Sequence, residues 1–167
     1  MRLTTLQMGS VMAGLGVGGP MGGIAIPAVS DYIGPRPATV LSFLCLGLSV
    51  YCFSLLGGEN QFGLFLCLAG AAFFGNGVLS LLTGPVATEA VPAGLTSSAI
   101  GLCSGAGELL GAGVGSILAG LFAKHFGIAI IPMFTLGGLG LGLVASLFLR
   151  ETAPRRLRAA GVARYEH

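Results

Sequence analysis

Glu108 is the residue with the most chemistry to offer. It stands about ten residues into the apolar run 98–122, and no other acidic or basic side chain lies so deep in such a run. On a helix that depth is roughly 15 Å from the start, close to the middle of a bilayer. A charge held there costs from about 2.5 to more than 10 kcal/mol, so it must face a cavity, a partner or a proton. The residues three, four and seven positions away are Gly101, Ser104, Gly105, Gly111, Ala112 and Gly115. All are small, which leaves room for water, a ligand or a basic group. Three roles fit the carboxyl group: taking up and releasing a proton, pairing with a substrate cation or an Arg on another helix, and hydrogen-bonding to a neighbouring helix.

Asn76, Ser80 and Thr83 form a second polar set at i, i+4 and i+7. That spacing puts them on one helix face. An amide in an apolar helix needs partners, so the stripe must face other helices, as interhelical glue or as the lining of a path. Glu89 lies in a Pro-bounded segment before the next run, where Thr96, Ser97 or Ser98 can cap the helix. Asp31, Gly34 and Arg36 mark a polar hinge, 31–37; between Arg2 and Glu89 the only other charge is Glu59.

Chemistry of other kinds finds little support. His125 and His167 are the only histidines, and no Ser/His/Asp or Cys/His set suggests a nucleophile. Cys45, Cys52, Cys67 and Cys103 all fall in apolar runs without CxxC spacing, so they read as small buried hydrophobes rather than metal ligands. Neither an enzyme nor a cofactor or metal is expected.

The elements that must position these groups follow from composition. Of 167 residues, 54% are hydrophobic and 8% charged, a third of the charge that a soluble domain carries. Mean hydropathy is +0.92. So little polar side chain cannot cover a globule in water, so the expected solvent is lipid. Five apolar runs meet the length of about 20 residues that a membrane helix needs, at 3–29, 38–56, 62–83, 98–122 and 128–149. No run alternates strictly, which argues against a β-barrel. The expected fold is an all-α bundle of about five spans, followed by a basic tail at 150–167.

Five spans would put Arg36 and the five arginines of 150–164 on one side, leaving Arg2 and Lys124 on the other. The positive-inside rule makes the first side cytoplasmic, including the C-terminus. A basic tail directly after a span marks that side rather than a nucleic-acid site. The N-terminus would then lie outside with no signal to carry it there, so further helices are expected upstream of Met1. Gly14, Gly18 and Gly22, and again Gly107, Gly111, Gly115 and Ala119, recur four apart. Each set makes a face that another backbone can approach.

These features together resemble the C-terminal half of a major facilitator superfamily transporter. In the hinge, Asp31, Gly34 and Arg36 match the family's loop motif; Tyr32 and Pro35 stand where it has basic residues. Thr88-Glu89-Ala90-Val91-Pro92, Gly107-Glu108 and Leu149-Arg150-Glu151-Thr152-Ala153-Pro154 are similar to the family's last helices, in members that import small organic acids with protons. The resemblance implies spans eight to twelve of twelve and alternating access by two rocking halves. It also implies a cytoplasmic gate loop at Asp31, Gly34 and Arg36. A cavity for solute and protons would be lined by Glu108, Asn76, Ser80 and Ser104 in the plasma (inner) membrane. The partners it implies are the bilayer, a small, anionic organic solute, protons and an N-terminal half.

Overall fold

The computed structural model describes residues 5–56, 60–89, 91–92 and 94–149. Every regular element among them is helical. Five helices are long and apolar enough to cross a membrane: α1 Thr5–Ile33, α2 Pro35–Leu55, α3 Gln61–Val86, α4 Thr96–Phe126 and α5 Ile128–Ser146. The shortest, α5, has 19 residues, or roughly 28 Å of rise against a hydrocarbon core of about 30 Å.

Apolar side chains point outward from this bundle. Leu6, Ile24, Phe62, Leu102, Leu141 and Phe148 are among the many large hydrophobic residues left exposed, while Leu64, Leu81 and Thr39 are the largest side chains fully buried. In water such a surface would be an aggregation hazard. In lipid it is the expected exterior.

The helices lie in the order α1, α3, α2, α5, each against the next. The α1–α3 pair is the tightest, and glycine explains why. A Cβ on Gly14 would stand 2.9 Å from the Phe65 carbonyl oxygen; on Gly18 or Gly22 it would overlap the backbone of Ala69 or Phe73. Three glycines spaced by four therefore meet three α3 residues spaced by four, backbone on backbone. Gly77 returns the favour from α3, leaving room for Ile26.

The hinge differs from the polar loop that its composition predicts. Helix α1 runs on through Asp31 to Ile33, and α2 begins at Pro35, so the only non-helical residue is Gly34. Its φ of 99° and ψ of 154° belong to a region open essentially to glycine alone. Pro35 suits the first turn of a helix, where its missing N–H costs nothing. The Ser30 and Thr39 hydroxyls donate to the Pro27 and Pro35 carbonyls at 2.7 Å, so both are satisfied inside their own helices while buried. A corner of one residue replaces a loop of seven.

The other boundaries shift in the same direction. Helix α3 continues past Thr83 through a wide π-type turn, Leu82–Val86, and a short helical turn, Ala87–Glu89, follows it. Helix α4 starts at Thr96, capped by Leu95 with no side-chain cap, so the expected Thr or Ser cap does not form. It ends at Phe126, where Gly127, at φ 83°, turns the chain into α5. The basic tail 150–167 lies outside the described residues.

Candidate functional site

Two adjoining grooves run along one side of the bundle. The first, about 530 Å³, lies between α1 and α3; its lining includes Gly16, Gly19, Pro20, Gly23, Asn76 and Ser80. The second, about 290 Å³, lies between α3 and α4 and is lined by Ser104, Gly107, Glu108 and Ala112. Leu79 and Thr83 line both. The four residues that the sequence assigns to a cavity, Glu108, Asn76, Ser80 and Ser104, thus gather along one continuous side.

Each polar side chain reaches this side for a local reason. Asn76, Ser80 and Thr83 share a face of α3 by helical spacing. Ser104 and Glu108 are four apart on α4, and Glu108 opens a wide π-type stretch, Glu108–Gly115. Such stretches bond i to i+5 and are frequent at functional sites. Glu108 is exposed and no residue of α4 from Thr96 to Phe126 is buried. The carboxyl therefore borders an open groove.

Proline sets the rest of the lining. Pro27 has no N–H, so the Gly23 carbonyl four residues earlier loses its helical donor. The Ser80 hydroxyl replaces that donor at 3.0 Å, across the helix interface. Pro20 does the same to the Gly16 carbonyl, and both residues border the first groove. Sequence reasoning passed over this pair, although a proline four residues after a glycine in a membrane helix is a readable signal. Two more donors bond within their own helix: one N–H of Asn76 Nδ2 to the Ala72 carbonyl at 3.1 Å and the Thr83 hydroxyl to the Leu79 carbonyl at 2.8 Å.

The gate-loop residues are not part of this side. Asp31 is roughly 12 Å further along α1 than Gly23. Asp31 ends α1 and Arg36 starts α2, both exposed, so each charge sits where the helix dipole has its own sign. Their placement does not stabilise the helix ends. Glu89 closes the short helical turn Ala87–Glu89 beyond α3, and its side chain is outside the described residues. No family model matches the chain, and neither a curated protein nor a solved structure matches it.

Proposed function

We propose that this chain is a multi-pass membrane protein forming most of one half of a secondary transporter. It couples the movement of a small organic solute to that of protons by alternating access. Glu108 carries the proton, and Asn76, Ser80 and Ser104 line the solute's path. Asp31, Gly34 and Arg36 form the cytoplasmic corner of the gate. The partner is an N-terminal half that closes the open side of the grooves, and the C-terminal tail faces the cytoplasm from the plasma (inner) membrane.

The observation that carries this reading is Glu108 bordering a groove between helices of membrane-crossing length, continuous with Asn76 and Ser80. An intramembrane acid marks a proton or solute pathway by default. The test is proton movement into proteoliposomes holding the protein and a pH-sensitive dye, driven by gradients of putrescine, succinate or sorbitol. One of the three should drive protons, and Glu108→Gln should remove the pH response. An unchanged pH response in that variant sinks the proton role.

A second reading has its own observation. Gly107 and Gly111 on α4 have no atom near the place where a Cβ would stand. A helix-packing protein that transports nothing would use this face for partner helices. Cysteine cross-linking in membranes would then capture such a complex while uptake stays at background.

A further inference from the structure

The lining of the two grooves accepts hydrogen bonds and offers few. Ser80 and Thr83 give their hydroxyl protons to the Gly23 and Leu79 carbonyls, and Asn76 gives an amide proton to Ala72. What these side chains keep for the groove is mostly oxygen lone pairs, beside the second amide N–H of Asn76 and the Ser104 hydroxyl. Gly16 also lines the first groove, and its carbonyl lacks the helical donor that a residue other than Pro20 would supply. Glu108 is the single formal charge among the residues bordering either groove, and when ionised it only accepts.

From this we infer that the site takes a small organic cation carrying N–H donors, a protonated amine or guanidine, rather than the anion that the family resemblance implies. The inference rests on the grooves being the solute's path. An ammonium group can bond Glu108 and turn its remaining N–H groups to the Ser104 and Thr83 oxygens. A second donor group a few bonds away can reach the acceptors between Asn76, Ser80 and Gly16. Freed backbone carbonyls facing a membrane cavity serve cations in the same way. A carboxylate in this place would meet mostly lone pairs and the like charge of Glu108.

The test is equilibrium binding to the purified chain in phosphatidylcholine nanodiscs, a neutral lipid that does not itself collect cations. Radiolabelled putrescine and succinate are the probes. Putrescine should bind saturably and succinate should neither bind nor displace it. Glu108→Gln should weaken putrescine roughly tenfold or more, the size expected for loss of a hydrogen bond to a charged group. Glu108→Asp, which keeps the charge, should recover part of the affinity, and unchanged helix content by circular dichroism shows that both variants fold. Succinate binding, no putrescine binding, or equal putrescine binding by Glu108→Gln each overturns the inference. Uptake into proteoliposomes is measured separately: putrescine bound but never moved would leave the site standing and remove the transport reading instead.

Discussion

Helices α1 and α4 carry the same device and put it to different uses. Gly14, Gly18 and Gly22 on α1, and Gly107, Gly111 and Gly115 on α4, repeat at intervals of four. The first set is filled along its length by the α3 backbone at Phe65, Ala69 and Phe73. The second meets nothing at Gly107 and Gly111 and only its own helix at Gly115. Spacing therefore makes a face approachable without deciding that it is approached. The difference divides the molecule into a fixed seam, α1 on α3, and a loosely held arm, α4, with Glu108 on the arm and Asn76 and Ser80 beside the seam. A groove whose two walls differ so much in attachment can change width without disturbing the seam.

The largest effect should come from filling the seam. Gly22→Ala puts a methyl group into the Phe73 backbone, which cannot step aside as a side-chain tip can. The helices must separate, and overpacking of this kind costs about 1–3 kcal/mol, occasionally more. Unfolding in detergent by SDS titration, followed by circular dichroism, should show the upper part of that range. A variant as stable as the parent would mean that the seam is not as tight as described.

Gly34→Ala comes next. Here the strain is conformational, since φ 99° with ψ 154° is closed to alanine at a cost of about 1–3 kcal/mol. The same titration measures it, and cross-linking between cysteines placed near the ends of α1 and α2 should fall as the corner opens. Ser80→Ala is smaller. It strips the Gly23 carbonyl of the donor that stands in for the one Pro27 lacks, and hydrogen bonds between membrane helices are worth roughly 0.6–1.7 kcal/mol.

These three sites also mark what the sequence could reveal. Five helices were legible because lipid demands about 20 apolar residues per span, and little else satisfies that demand. The stripe Asn76, Ser80, Thr83 was legible because helical periodicity alone defines a face. The corner at Gly34 was not, since Ser30, Asp31, Pro35 and Pro37 have the composition of a loop. They fold as helix because Ser30 and Thr39 bond back within their own helices and Pro35 falls where a helix tolerates it. That Glu108 and Ser80 belong together followed only from the family resemblance, not from the residues themselves. Which helices become neighbours depends on how faces fit together, and α3 occupies the α1 face while leaving that of α4 empty.

The smallest effect is the most discriminating. Gly111→Ala adds a methyl group with no atom within 4 Å of it, so nothing in this chain resists it. Replacing glycine by alanine within a helix removes backbone freedom from the unfolded state, a gain of up to about 1 kcal/mol. The isolated chain should therefore unfold at the same SDS fraction as the parent, or slightly later. The outcome changes if a partner helix seats against α4 as α3 seats against α1. The same methyl group would then meet a backbone and weaken the complex by an amount comparable to Gly22→Ala within the chain. Measured on the chain alone and again on membranes where cross-linking captures a partner, one substitution tells whether the α4 stripe is an interface awaiting its second half or a lipid-facing surface. Equal tolerance in both settings would assign that face to lipid and leave Glu108 on a wall that no other helix closes.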